Sequence, residues 1–220
     1  MHYQLVCDEP TSSDLIELTI GLPDSWGAER IIVHLLDGTG QSRFNDTYDV
    51  IANSLELRGI GTCRQALHER AAHQRLFDGS SNSDGEREGM GACRVFNYLR
   101  KDARFANSKF CILASGDGAS PALYAATCAS AQISAIAISG GRLSSALTVA
   151  AKNTLPTLFL IGSNDNVARS SCRAAYAAAR GPKELVLIDG AGHLLREPGA
   201  PEEVASRSAA WFQRYSFFDI

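Results

Sequence analysis

Apolar positions along the chain follow two rhythms. Short apolar runs at Ile31–Leu36, Phe110–Ala114, Ile133–Ile138, Thr157–Ile161 and Glu184–Ile188 have the length of strands, and Ile31–Leu36 has the continuous β-rich composition of one buried on both faces. Between them, three- and four-residue spacing predicts helices. One runs from about Asn45 to Arg58 with Val50, Ile51, Leu55 and Leu57 on its apolar side, Asn45 or Asp46 as N-cap and Gly59 as stop. Glu88–Arg104 carries Met90, Val95, Phe96, Leu99 and Phe105, and alanine-rich helices follow Gly118 and span Ala168–Arg180. A terminal helix, Glu202–Tyr215, turns Val204, Ala205, Trp211 and Phe212 inward. Tyr3–Cys7 and Leu15–Ile20, separated by the turn-like Asp8–Ser13, predict an edge hairpin, and Ile60–Leu67 a weaker strand. The polar stretch His68–Asp84 reads as an exposed loop, long enough that either a short helix lies in it or it serves a function.

Strands alternating with helices specify an α/β fold, a mostly parallel twisted sheet with helices on both faces. No linker divides the chain, so residues 1–220 are expected to form one domain. Glycine-rich segments fall at strand C-terminal ends, where open α/β sheets bind ligands.

Composition narrows the partners. A net charge of −3, without a run of Lys or Arg, argues against nucleic acid and membrane surfaces and leaves a small molecule as the expected substrate or ligand. Whether the chain forms a homo-oligomer stays open. The six cysteines include no Cys-x-x-Cys pair and read as reduced thiols. No metal or cofactor pattern is present. Met1–Gln4 lacks a basic segment leading into an apolar one, and no run reaches the about 18 apolar residues of a membrane span, so a cytoplasmic protein is expected.

The chemistry gathers in three places. Phe110–Ser115 breaks at Gly116-Asp117-Gly118 into a helical pattern, the signature of a strand–turn–helix elbow that exposes a nucleophile. Gly162-Ser163-Asn164-Asp165 follows the next strand but one, and Gly190-Ala191-Gly192-His193 the strand after that. In this order the sequence resembles the α/β-hydrolase family, and in particular its small lid-less members similar to dienelactone hydrolase. The resemblance is most specific in Leu155–Gly162 and Gly190–Leu194. It implies an α/β-hydrolase fold without a sizeable cap, hydrolysis of a small ester, lactone or related substrate, His193 as base and Asp165 as its acid. It also implies an oxyanion site at Gly38 and Thr39 with the backbone around Gly116 and Gly118. Asp37 stands where the family often has histidine, and a carboxylate beside an oxyanion is unfavourable.

The nucleophile has three possible registers, because residues two before and two after it must be small. With Gly116 central, the flanks are Ala114 and Gly118, the best fit, and no side chain is supplied. With Asp117 central, they are Ser115 and Ala119, and the nucleophile is a carboxylate. With Ser115 central, they are Leu113 and Asp117, neither small. Cys111 lies too early, inside the strand. Standing alone, Asp165 would read equally as a helix N-cap, Asp117 as a helix-initiating carboxylate and His193 as a hydrogen-bonded loop residue. The sequence therefore supports two functions, a hydrolase and a catalytically silent relative that binds a ligand or partner. A third route has His193 and Asp165 activate water directly.

Overall fold

The computed structural model describes residues 2–7, 16–24, 26, 30–36, 46–67, 81–141 and 143–217. Eight strands form one sheet: β1 His2–Cys7, β2 Ile16–Gly21, β3 Ile31–Leu36, β4 Gly61–Leu67, β5 Lys109–Ser115, β6 Ile133–Ser139, β7 Thr157–Gly162 and β8 Lys183–Ile188. Their order is β1-β2-β4-β3-β5-β6-β7-β8. β1 and β2 pair antiparallel, β2 joins β4 antiparallel, and from β4 onward every pairing is parallel. The edge hairpin and the parallel sheet are those the apolar runs predict. The turn at 8–13 lies outside the described residues.

Helices α1 Asp46–Glu56, α2 Ser81–Arg100, α3 Ala119–Cys128, α4 Leu147–Ala150, α5 Asn166–Ala178 and α6 Ala200–Phe217 cover both faces. Period-two alternation on β3 shows how. Ile32 and Leu36 enter a core shared with Val95, Phe96 and Leu99 of α2, Ala122 of α3 and Cys172 of α5. Ile31, Val33 and Leu35 enter a second core with Ile51 and Leu55 of α1 and Val204, Trp211 and Phe212 of α6. Both faces of the central strands are dry, which is why they read as continuous apolar runs.

Two expectations shift. Leu57 is 88% exposed, because α1 ends at Glu56 and the chain turns at Leu57–Gly59; Tyr48 and Ala52 complete the buried face instead. Ser81–Asp84, read as loop, is helical, since α2 begins at Ser81 and the helical pattern extends upstream of Glu88. Residues 68–80 of that stretch lie outside the described residues. Met90 is partly exposed, while Val95, Phe96, Leu99 and Phe105 are buried.

His34 occupies β3 on the α2 face, fully buried, with its ring edge-on to Phe96 at 5.8 Å between centroids. Neither ring nitrogen makes a hydrogen bond of normal geometry among the described residues. Burial pushes its pKa from 6.5 down to about 4, opposed in part by the Gln65 side chain. The neutral ring is thus the folded form. Between those two pKa values the unfolded chain takes up a proton that the folded chain refuses, so this group's penalty is absent above 6.5 and grows as pH falls toward 4. Urea unfolding at pH 7 and near pH 4 is expected to show a loss of about 3 kcal/mol attributable to His34. His34→Leu should remove that part of the loss; an unchanged pH profile in the variant would contradict the assignment.

Candidate active site

At the end of β5 the backbone is extended at Ser115, φ −133 and ψ 159, and then left-handed at Gly116, φ +54. A tight turn over Gly116–Gly118 follows, in which Ala119 N–H donates to Gly116 O, and the chain runs directly into α3. Left-handed backbone is cheap for glycine and strained for other residues. A Cβ added at Gly116 would meet no heavy atom within 4 Å, so the apex of the turn faces open space. Its underside is closed by Gly141, φ +95, where an added Cβ would sit 2.4 Å from Gly116 O. Gly118 is buried and Asp117 exposed. The first N–H groups of a helix have no partner within it, so this turn presents backbone donors beside the apex.

Ser115 has another use for its hydroxyl. Tyr48 Oη donates to Leu36 O at 2.8 Å and lies 2.9 Å from Ser115 Oγ. A phenol has one proton, so Ser115 is the donor in the second bond, and the pair ties the ends of β3 and β5 to α1. Cys111 is buried in β5, 3.6 Å from Ser216 Oγ, and burial pushes its thiol up to about 12.

Asp165 follows β7 and caps α5. Its Oδ1 accepts from Val167 N at 3.1 Å and Ala168 N at 2.9 Å, and its Oδ2 accepts from His193 Nδ1 at 2.8 Å. The residue is 2% exposed. Burial alone would raise its pKa, but the hydrogen bonds from Ala168, His193 and Val167 together outweigh it and hold the carboxyl below the ordinary 3.8. An ionised acceptor at Nδ1 fixes the tautomer in which Nε2 carries the lone pair. Among the described residues, His193 pairs with Asp165 and no second carboxylate within 4 Å.

Backbone contacts hold the histidine loop onto the end of β7. Ser163 N donates to Ile188 O at 2.8 Å, Asn164 N to Ala191 O at 2.9 Å, and Gly190 N to Ser163 Oγ at 2.9 Å. Gly162 permits this approach, since a Cβ there would lie 2.3 Å from Ala191 O. The loop then turns through Leu195, whose φ of 48 is strained and whose side chain is buried in the α6-side core. Gly140, φ +68, lies between the parts, its added Cβ 3.3 Å from His193 O and 3.9 Å from Asp165 Oδ2. The Gly140-Gly141 pair therefore touches both the β5–α3 turn and the acid–histidine pair.

The structure brings together Gly116, Asp165 and His193 around the Gly140-Gly141 pair, with Asp117 exposed beside the turn and Ser115 directed to Tyr48. Gly38 and Thr39 lie outside the described residues. Tyr48 and the positive φ values of Gly140 and Gly141 were not foreseen. Adjacent glycines closing β6 were the available signal for the second; a tyrosine three residues into a helix gives none for the first.

The fold has known neighbours. A dienelactone hydrolase from Anabaena variabilis matches with a TM-score of 0.85 and 22% identity over 98% of both chains. The esterase domain of a Rhodothermus marinus protein matches with a TM-score of 0.73 and 15% identity over 98% of this chain and 99% of that one. The chain has the α/β-hydrolase fold. No family model matches the sequence. A Mycobacterium tuberculosis protein described as "Putative phosphoribosyl transferase" is 27% identical over 183 residues, which are 83% of this chain. This chain spans only 41% of that relative's length.

Asp165 joins a cap to a histidine anchor, and substitution can part them. Asp165→Ala should cost about 2 kcal/mol in urea unfolding, because buried N–H groups lose their acceptor. Asp165→Ser, which can still cap, should cost less than about 1 kcal/mol while releasing His193. Equal losses would mean that the cap is not what Asp165 contributes to stability.

Proposed function

We propose that the protein hydrolyses a small ester, lactone or related carbonyl compound, with His193 activating a water molecule over Gly116 in place of a side-chain nucleophile. The observation that carries this reading is the open left-handed apex at Gly116 beside a histidine whose Nδ1 is anchored by a buried carboxylate. His193 Nε2 takes a proton as the water oxygen attacks the carbonyl carbon. The carbonyl oxygen becomes anionic, and backbone N–H groups of the Gly116–Gly118 turn, favoured by the positive end of α3, stabilise it. The tetrahedral intermediate then expels the alkoxide, which recovers the proton from His193, leaving a carboxylic acid and an alcohol, or one hydroxy acid from a lactone. Asp165 stays ionised and stabilises the imidazolium between the two transfers. The hydrolase and esterase neighbours support the reaction class by analogy of fold.

A second reading, a silent protein that binds a ligand or partner, is favoured by the commitment of the Ser115 hydroxyl to Tyr48 together with the absence of a side chain at the apex. One set of assays separates the readings. Wild type should turn over members of a broad ester and lactone panel without an initial burst, His193→Ala should reduce the rate by at least about a hundredfold, and Asp117→Asn should retain it within a few-fold. Trapping of an adduct on Asp117 or Ser115 would replace direct water attack with covalent catalysis. Wild-type rates equal to those of His193→Ala would leave the silent reading, and turnover gained by Gly116→Ser would then show that only the nucleophile is missing.

A further inference from the structure

Glycines bring α2 and α3 into close contact along the helix that follows the Gly116–Gly118 turn. A Cβ at Gly89 would lie 2.7 Å from Pro121 O, 2.7 Å from Tyr124 Cβ and 2.9 Å from Ala125 N. One at Gly85 would meet the Tyr124 ring at 3.2 Å and Ser120 Cβ at 3.7 Å. The two helices thus advance together, 85 facing 120 and 124, and 89 facing 121, 124 and 125. Beyond the end of α3 the contact continues, with Arg100 Nη2 donating to Gln132 O at 3.2 Å. Cys93 stands one turn past Gly89 on the same face of α2, and Cys128 stands three and four residues past Ala125 and Tyr124 on the same face of α3. Contacts on either side bracket them as opposed positions.

We propose that Cys93 and Cys128 form a modification site, joined by a disulfide when the protein meets a peroxide. A disulfide asks for Cα atoms about 5.5 Å apart. Helices that approach through glycine come nearer than the about 8–10 Å of ordinary pairs, and that leaves such a separation within reach. Both cysteines are free thiols, Cys128 exposed and Cys93 partly buried. Cys93 Sγ donates to Gly89 O at 3.2 Å, a bond that a change of χ1 gives up. Burial first, and the neighbouring Cys128 second, push the Cys93 thiol up to about 11. Accessibility assigns the roles, since Cys128 is exposed and Cys93 partly buried. The exposed Cys128 sulfur attacks the peroxide, forming an S–O bond as the O–O bond breaks; the sulfur is oxidised to a sulfenic acid, and the other oxygen leaves as water. Cys93 sulfur then attacks Cys128 sulfur, the S–S bond forms, and the hydroxyl departs as a second water with the Cys93 proton. The bond fastens α2 to the helix that follows the Gly116–Gly118 turn.

The test uses the full chain, treated with hydrogen peroxide, alkylated under denaturing conditions and mapped by mass spectrometry. A peptide pair linking Cys93 to Cys128, abolished by dithiothreitol, is the expected result, with both thiols lost to alkylation together. Cys128→Ser, at an exposed position that leaves the core untouched, should leave Cys93 fully alkylatable after the same treatment. The proposal is overturned if Cys128 proceeds to sulfinic or sulfonic acid while Cys93 stays alkylatable, or if Cys128 pairs with any other thiol, including that of a second molecule.

Discussion

The carboxylate of Asp165 is the point on which the candidate site at the end of the sheet depends. Nearly free of solvent contact, it would be costly to ionise without donors, and it receives three, two from the first turn of α5 and one from His193. The same side chain therefore starts a helix and orients an imidazole. Loss of any one donor leaves a buried charge less well paired, so helix position and histidine position are linked through one side chain. A structural role for Asp165 and a catalytic one are not alternatives, because the cap is what makes the carboxylate available to His193 in ionised form.

Around that charge, the geometry is set by how closely backbone can approach backbone. Gly162 lets the histidine loop lie on the end of β7, Gly141 lets the end of β6 lie under the β5–α3 turn, and Gly116 lets the turn itself reverse. A methyl group at Gly141 or Gly162 would fall within 2.4 Å of a carbonyl oxygen. At Gly116 the limit is conformational alone, since nothing stands within 4 Å. This difference matters for chemistry. At the first two glycines the space is filled, whereas the third opens onto free volume.

Much of this could be read from the sequence, for identifiable reasons. Apolar runs of strand length mark five of the parallel strands within a residue or two of their observed ends, the four central ones buried on both faces and the edge strand β8 largely not. Strand-end glycines located the loops, and chain order placed Asp165 and His193 on two of them. What escaped notice depended on tertiary contact. Leu57 fits the helical period of α1, but the chain has already turned there, and Tyr48, whose spacing carries no special mark, is what fixes the Ser115 hydroxyl. The full burial of His34 is equally invisible in a run that reads simply as strand.

Gly116 shows how the turn is built without a side chain. Position 116 contributes backbone alone: the carbonyl that accepts from Ala119, the φ that turns the chain, and no side-chain contact. Glycine there relieves the strain that a serine or cysteine would carry in the left-handed region. Stability and covalent chemistry pull in opposite directions at this one residue, while at Asp165 they pull together. A fold that resolves the first conflict in favour of stability keeps the second arrangement intact without further adjustment. His193 and Asp165 remain built whether or not a side chain faces them, and the character of the site passes to whatever occupies the space above Gly116.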